Sequence, residues 1–358
     1  MTVPAENGPM IIPLNQWPAT DQAAWAAGLV PGDILDGHSY AHSLRPTTLR
    51  NSARGYGRWL AVLTECDVDA LLLAPVERVT PDRLRIFLGV LRAAGNTNNT
   101  IKARMWELRS ALRVIAPEAD FRWLNYPAGN SLEMLLPTKL TVKEIVDIRL
   151  LQQWGTDDMA EALTMAPSSS RAILYRNGLL VALFACRAPR IASMASIHIE
   201  QGLTRSDGGY RMAFTAAQTK GKRRLSYDVT PALTPSIDHY LAVERPSLLN
   251  GKCHSWLWVN EHGDPLRLRG IEGIIRRGSQ GRFGKVMGSH RFRHSLATSS
   301  MIADPSTPGR IAAVLGNSPA VTEACYALGG QLEAGQQFLT DLEAERAETA
   351  AMGRIFYG

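Results

Sequence analysis

Strand-like sequence is confined to three stretches of this 358-residue chain, residues 195–229, 256–259 and the short end RIFYG at 354–358, and this limits the folds that the chain can adopt. In the first stretch, the turn sequences SDGG and TKGK separate short β-prone runs, which predicts a three-stranded antiparallel sheet. The predicted strands are Ala195–Glu200, Tyr210–Ala216 and Arg224–Val229. Much of the remaining chain has apolar residues at helical spacing. The predicted fold is therefore mainly α with a small antiparallel β-sheet.

The sequence before residue 137 predicts an all-helical unit preceded by an extended arm. Five prolines between residues 4 and 31 favour extended structure, with one short helix near Asp21–Ala27. Threonine followed by proline or by a polar run is typical of helix starts. The predicted helices are Pro46–Cys66, one that Thr80 caps and that ends at Gly95, one from near Thr97 to Pro117, and a last one that starts at Arg122 and Trp123.

The sequence after residue 141 predicts a second unit, in which helices surround the sheet. Its most apolar segment, Arg171–Cys186, is predicted to be a core helix capped by Ser168–Ser170. Thr234, with Pro235 at the first helical position, is predicted to cap a helix that reaches Val243. The run WLWV at 256–259 is predicted to be a buried strand that anchors the sheet. The other predicted helices are Val142–Trp154, Asp157–Met165, Leu268–Arg277, His290–Ile302, Gly309–Leu315 and Pro319–Ala327.

These patterns predict the domain boundaries. Residues 1–39 form an acidic arm, 40–136 a helical domain, 137–141 a linker, 142–330 a second domain and 331–358 a C-terminal tail. Residues 1–44 contain no lysine or arginine, so the arm is a poor candidate for a basic nucleic-acid-binding segment.

The charge balance favours a polyanionic partner. The chain has 39 Lys and Arg against 33 Asp and Glu, a net charge of +6, and such a surplus suits nucleic acid. Basic residues interleave with the apolar positions of two predicted helices of the first unit. The candidate DNA-binding residues are Arg50, Arg54, Arg58, Lys102, Arg104, Arg109 and Arg113.

Other sequence features exclude several classes of protein. No apolar run reaches the roughly 18 residues of a membrane helix. Pro4 and Glu6 stand where a signal peptide would be basic and then apolar, so the predicted location is the cytoplasm. The four cysteines are widely spaced with no CxxC, which predicts reduced thiols and no structural metal.

Four segments of the second half carry the residues on which a function can be argued. NGLLVALFACRAPRIASMASI at 177–197 places an arginine directly after the apolar helix, and GSHRFRHSLAT at 288–298 contains His-x-x-Arg. LGNSPAVTEACY at 315–326 ends on a tyrosine nine residues after Asn317, and TKGKRR at 219–224 lies in a predicted turn between strands. In their order along the chain, these segments resemble the signature boxes of the tyrosine recombinases, the phage-integrase family. The matching residues are Arg190, Lys220 with Lys222 as a second candidate, His290, Arg293, Asn317 and Tyr326.

The resemblance implies a catalytic role for each of these residues. Tyr326 is the nucleophile, which forms a covalent 3′-phosphotyrosine and releases a 5′-hydroxyl. Arg190 and Arg293 clamp the nonbridging oxygens, because guanidinium groups bind phosphate bidentately. His290 serves as general base and Lys220 as general acid. Rejoining then needs neither ATP nor a cofactor or metal, because the bond energy is kept in the phosphotyrosine.

The resemblance also implies an architecture and partners. A helical core-binding (SAM-like) domain at 40–136 and an α+β catalytic domain at 142–330 would clamp double-stranded DNA that carries a specific recombination site. Four copies would act on two duplexes, with accessory recombinases or directionality factors as further partners. The tail, with a helix at Gln331–Met352, is expected to dock into a neighbouring copy. Integration, excision or transposition of a mobile element, and dimer resolution, all remain open.

Three departures from the family's pattern keep other hypotheses open. Ala188 and Pro189 precede the first arginine, where the family usually has a small residue and Gly-Leu. Ser193 stands where the family has an acidic residue three positions after that arginine, and Asn317 stands where it mostly has histidine or tryptophan. A recombinase-like DNA-binding accessory protein that no longer cleaves is one alternative, and a type IB topoisomerase-like enzyme is another. Taken singly, Arg190 also fits a helix C-terminal charge, Lys220 a solvated turn residue and Tyr326 a core tyrosine.

Overall fold

The computed structural model of the protein describes residues 10–32, 39–138, 145–219, 221, 223–303 and 315. Contacts divide the chain into two compact units, residues 1–142 and 143–358. Among the described helices, none combines the length and the apolar character needed to cross a membrane. The predicted fold class is confirmed, since the described residues are mostly helical with one three-stranded antiparallel sheet.

Unit 1 is all-helical, as predicted. Threonine side chains cap the N-termini of two of its helices. Thr80 Oγ1 accepts a hydrogen bond from the backbone N–H of Arg83, and Thr97 Oγ1 accepts one from that of Thr100. Single 3₁₀ turns join several of the helices. The α-helices are α1 (Ala19–Gly28), α2 (Tyr40–Ser43), α3 (Pro46–Cys66), α4 (Pro81–Ala93), α5 (Asn98–Ile115) and α6 (Leu132–Leu135).

The described part of the N-terminal segment belongs to the core of unit 1 and is not a separate arm. Trp17 and Trp25 are buried in the same apolar cluster as α3 and α5. Arg78 donates to Asp21 at 2.5 Å with both side chains fully buried, and Tyr56 donates to the same carboxylate at 2.9 Å. Breaking such a buried pair costs about 3–5 kcal/mol, so this contact holds the segment in place.

The last predicted helix of unit 1 is much shorter than expected. Arg122–Leu124 forms only a 3₁₀ turn. The sequence PAG then follows, in which Ala128 and Gly129 both have positive φ, 51° and 81°. A right-handed helix cannot pass through that conformation, and helix resumes only at α6.

Unit 2 consists of helices around a sheet with the strand order β1-β2-β3. Its strands are β1 (Leu203–Ser206), β2 (Gly209–Phe214) and β3 (Leu225–Asp228). Its α-helices are α7 (Ile148–Thr164), α8 (Ser169–Arg187), α9 (Ile191–Ala195), α10 (Thr234–His239), α11 (Arg245–Leu249), α12 (Leu268–Phe283) and α13 (His290–Ala303).

The first predicted strand, Ala195–Glu200, is wrong, because it lies about one strand length before the observed β1. The turn Asp207–Gly208 pairs Ser206 with Gly209, so the strand that precedes it has to be the adjacent one, β1. The predicted segment instead contains the end of α9 and two isolated bridges, one of them from His198 to Trp256. The WLWV run likewise makes bridges only, although Trp258 is buried and donates to Met194 O.

The two helices predicted at Val142–Trp154 and Asp157–Met165 are one helix, α7, across residues 148–164. The glycine between them, Gly155, does not break the helix but makes room for α8. A Cβ atom on Gly155 would lie 2.7 Å from Gly178 O, and one on Gly178 would lie 2.7 Å from Gly155 O. Gly155 therefore has its role in tertiary packing.

The helix predicted from Thr234 to Val243 is longer and starts differently. Thr234 is the first residue of the helix rather than its N-cap, which is Leu233, and a 3₁₀ turn at Pro231–Leu233 precedes it. The helix continues through a π turn at Tyr240–Glu244 into α11. The π turn therefore continues the helix past Val243, where the sequence predicted its end.

A carboxylate in α7 predicts a pH-dependent stability. Burial, followed by the charge of Glu161, raises the pKa of Asp158 to about 6, while the Trp154 indole N–H lowers it by donating at 2.8 Å. Because the folded pKa lies above the unfolded value of about 3.9, the carboxyl favours the folded state at low pH. That advantage is lost as pH rises through about 6.

We expect Asp158→Asn to raise the free energy of unfolding by about 1 kcal/mol at pH 8, with the gain vanishing towards pH 4, after discounting for partial exposure. The amide oxygen keeps the acceptor for Trp154. Urea denaturation at the two pH values measures the effect. Asp157→Asn is the matched control and should give no gain, because Arg282 donates to that carboxylate. Equal gains at both pH values would contradict the prediction.

Candidate active site

Arg190 is positioned by a forced break between two helices. α8 ends at Arg187, and Ala188 then adopts the left-handed conformation with φ 43° and ψ 49°. Pro189 cannot continue a helix, so Arg190 follows in extended conformation and becomes the N-cap of α9. Its side chain is half-buried. The sequence Arg-Ala-Pro-Arg thus turns the chain so that Arg190 lies between α8 and α9.

Arg293 lies in α13 and is buried. Its guanidinium donates to Ala188 O at 2.6 Å and to Leu315 O at 2.5 Å. The first acceptor belongs to the break that places Arg190, and the second lies two residues before Asn317 in the sequence. Arg293 therefore joins three of the predicted signature segments, which are far apart along the chain.

The two arginines share an electrostatic neighbourhood. Partial burial raises the pKa of the Tyr227 phenol on β3, and the charges of Arg293, Arg190 and Arg187 act in the opposite direction. Coulomb energy falls with distance, so these three positive charges are near enough to Tyr227 to act on its phenol. This concentration of positive charge suits an anionic ligand such as a phosphodiester.

His290 begins α13, one helical turn before Arg293. Its side chain is exposed, and its ring meets that of His294 edge to face with 4.8 Å between centroids. Residues three apart are neighbours on a helix surface. The His-x-x-Arg sequence therefore brings an exposed imidazole next to the buried guanidinium.

The β2–β3 turn is described only around its lysines. Lys220 and Lys222 lie outside the described residues. The residues that flank them form a closed loop base: Thr219 Oγ1 donates to Arg223 O at 2.6 Å, and Arg223 N donates to Thr219 Oγ1 at 3.1 Å. The predicted turn between strands is confirmed.

The remaining predicted site residues, Asn317 and Tyr326, also lie outside the described residues. The same holds for most of Gly309–Leu315, of which Leu315 is described, for Pro319–Ala327, and for the C-terminal tail. The described part of the site thus consists of Arg190, His290 and Arg293 with the residues that hold them.

The seven basic residues predicted for DNA binding divide into two groups. Arg50 and Arg54 are exposed on α3, one turn apart. Arg58 and Lys102 are buried, and their ion pairs with Glu107 and Glu133 hold the helical unit together. We therefore leave these two out of the proposed DNA surface.

The other three predicted residues are half-buried and have partners within the unit. Arg104 donates to both carboxylate oxygens of Glu107 at 2.8 Å. Arg109 Nε donates to Phe121 O, and Arg113 lies 3.6 Å above the ring of Tyr40. Burial, followed by the charge of Arg104, lowers the pKa of Arg58. Arg54 adds to this effect, so α3 and α5 share one basic cluster.

A second basic surface lies on α12, and its arginines are not among the DNA-binding residues predicted from the sequence. Its apolar residues Ile271, Ile274 and Ile275 are buried on one face. Its other positions carry arginines at 276, 277 and 282, with two more at 267 and 269 where the helix begins. All five are exposed, and that at 282 pairs with Asp157. In the sequence, arginines that alternate with apolar residues at helical spacing indicate such a surface.

Comparison with known proteins extends these observations. The tyrosine recombinase XerD of Halalkalibacterium halodurans is 23% identical over 251 residues, 69% of this chain and 77% of that protein. XerD of Chlorobaculum tepidum is 24% identical over 252 residues, 68% of this chain and 73% of that protein. These relatives, together with the signature segments, support the resemblance of this chain to the tyrosine recombinases. No family model matches the chain.

Solved structures of DNA-bound recombinases share the fold of this chain. The site-specific recombinase XerH bound to palindromic difH substrate, in a post-cleavage complex, aligns with a TM-score of 0.62 at 15% identity, over 92% of this chain and all of that one. The Tn1549 transposon integrase in complex with transposon right end DNA gives 0.56 at 11% identity, over 88% and 98%. The likeness to curated tyrosine recombinases supports site-specific recombination as the general function.

Proposed function

We propose that this recombinase cuts and rejoins DNA at a specific site through a 3′-phosphotyrosine intermediate formed by Tyr326. One observation above all supports the proposal. Arg190 and Arg293 come from sequence segments about one hundred residues apart, yet their charges act on the same phenol, and Arg293 donates to the backbone next to Arg190. A pair of convergent guanidinium groups is what a phosphorane requires.

The proposed chemistry distributes the charges and protons among the chain's own residues. Arg190 and Arg293 hold the nonbridging oxygens as negative charge develops. His290 takes the proton of the Tyr326 phenol while its oxygen bonds to phosphorus. The bond to the 5′-oxygen breaks, and Lys220 or Lys222 supplies the proton to that oxygen. Asn317 donates a hydrogen bond to a phosphate oxygen. The steps run in reverse when a second strand's 5′-hydroxyl attacks.

We further propose that four copies act together on two duplexes in the cytoplasm. Strands exchange in pairs, and the tail at 331–358 couples neighbouring copies. Integration, excision or transposition of a mobile element is the proposed biological event, with accessory proteins as further partners. The DNA-bound complexes of XerH and of the Tn1549 integrase support duplex DNA as the partner.

The proposed DNA surface predicts one affinity change. Arg54→Gln is expected to weaken binding to a duplex of random sequence and to reduce the steepness of its salt dependence by about 0.9, because one phosphate contact is lost. Titration across a range of salt concentrations measures both. Arg122→Gln is the control, since that exposed arginine of the same unit is paired with Asp120. An unchanged salt slope for Arg54→Gln would exclude Arg54 from the surface.

The test of the proposed function needs no known target. The wild-type protein is expressed in a bacterial host, cells are denatured rapidly, and DNA that remains covalently attached to protein is sequenced. We expect an adduct enriched at one discrete sequence. Retained DNA binding with no adduct would instead favour the accessory protein that Asn317 suggests. Adducts at all sequences, together with relaxation of supercoils, would favour a type IB topoisomerase-like enzyme.

A further inference from the structure

Ser193 makes a contact that joins two parts of the active site. It lies in α9, three residues after Arg190, and is buried at 4% exposure. Its Oγ donates to Gln218 O at 2.9 Å. Gln218 lies at the end of the segment that follows β2, two residues before Lys220. A single hydroxyl thus connects the helix that begins at Arg190 with the approach to the lysine turn.

The side chain of Gln218 strengthens the same connection. Its Nε2 donates to Ser196 O at 3.0 Å, at the end of α9. Its Oε1 accepts from the backbone N–H of Thr215 at 2.8 Å, which closes a capping box around the 3₁₀ turn Ala216–Gln218. Gln218 is therefore held at its carbonyl and at its amide.

Thr219 carries the connection into the turn itself. Its side chain is buried at 2% exposure, and its hydroxyl bonds both the N–H and the carbonyl of Arg223. These two bonds bracket the positions of Lys220 and Lys222. The described base of the turn is therefore closed, and the residue before it is tied to α9, the helix that follows Arg190.

We infer that Ser193 is a positioning residue that sets the lysine turn relative to the arginine-bound phosphate. The inference rests on the proposed function and deepens it. Without the Ser193 hydroxyl, Gln218 O loses a buried donor, and leaving such a group unsatisfied is costly. The turn then shifts, and the lysine delivers its proton to the 5′-oxygen less effectively. Phosphate binding by Arg190 is unaffected.

A substrate that needs no proton at the leaving group isolates this effect. In a duplex with a 5′-bridging phosphorothiolate at the cleavage site, the phosphorus–sulfur bond breaks and the thiolate leaves unprotonated. A thiol has a pKa of about 8.5, whereas the 5′-alcohol it replaces is close to water at about 16. Loss of the general acid therefore slows cleavage of the ordinary duplex but not of the sulfur duplex.

The experiment compares Ser193→Ala with the wild type on both duplexes, built on the site recovered from the covalent adducts. We expect Ser193→Ala to cleave the ordinary duplex about 10- to 100-fold more slowly, with unchanged DNA affinity, and the sulfur duplex at the wild-type rate. Lys220→Ala or Lys222→Ala, whichever lysine is the acid, should show the same pattern. Arg190→Ala should be slow on both duplexes.

Ser196→Ala is the matched control. Ser196 lies at the end of α9, and its hydroxyl donates to Ser193 O within the same helix, so its loss should leave both rates unchanged. Wild-type rates for Ser193→Ala on the ordinary duplex, or an equal loss on both duplexes, would overturn the inference. A wild-type protein that cleaves neither duplex would overturn the proposed function itself, which is a separate outcome.

Discussion

Tyr326→Phe is expected to abolish covalent protein–DNA adducts entirely while DNA affinity stays at the wild-type level. The substitution removes one oxygen, the atom that would bond to phosphorus, and keeps the ring. Adducts trapped by rapid denaturation and counted by sequencing measure the first effect. A filter-binding titration on the recovered site measures the second.

Tyr227→Phe is the matched control for this prediction. The charges of Arg187, Arg190 and Arg293 act on the phenol of Tyr227, so among the described tyrosines it could be mistaken for the nucleophile. We expect Tyr227→Phe to keep forming adducts. Loss of adducts in Tyr227→Phe, with adducts retained in Tyr326→Phe, would reverse the assignment.

Arg293→Lys is expected to slow cleavage by about 10²–10³-fold, the usual cost of losing one preorganised donor to a developing negative charge. Lysine keeps the positive charge but not the planar fork. In the protein this fork also donates to Ala188 O and Leu315 O. Single-turnover cleavage of the recovered site measures the rate, and circular dichroism shows whether the variant is folded.

Arg187→Lys is the control for Arg293→Lys. Arg187 lies in the same charged neighbourhood, yet its guanidinium donates with two nitrogens to Asp228 O. We expect a change of only a few fold, within the range of a lost structural hydrogen bond. Equal losses in both variants would mean that general positive charge, not a specific clamp at Arg293, supports cleavage.

Much of the local structure could be predicted because it depends on neighbours in sequence. Thr80 and Thr97 cap their helices through N–H groups three residues away. α3 matches its predicted range, Pro46–Cys66. The turn at Asp207–Gly208 was predicted from its residue types. Local chemistry of this kind is the same in any tertiary context.

Several of the misses have a different cause. In the sequence, Gly155 resembles a helix break, but in the structure it packs against Gly178 within a continuous helix. In the sequence, Arg58 and Lys102 resemble part of a solvated basic face, but in the structure they are buried and form ion pairs with Glu107 and Glu133. In each case the deciding partner comes from a distant part of the sequence, which helical spacing does not reveal.

The sequence by itself determined the fold class, the caps at Thr80 and Thr97 and the order of the motif residues, since each follows from residue type and short-range spacing. Only the tertiary structure decided that Arg293 donates to the backbone beside Arg190, that Ser193 donates to Gln218 O, and that Trp17 and Trp25 belong to the core. The physical reason is that burial and long-range hydrogen bonds depend on which surfaces meet.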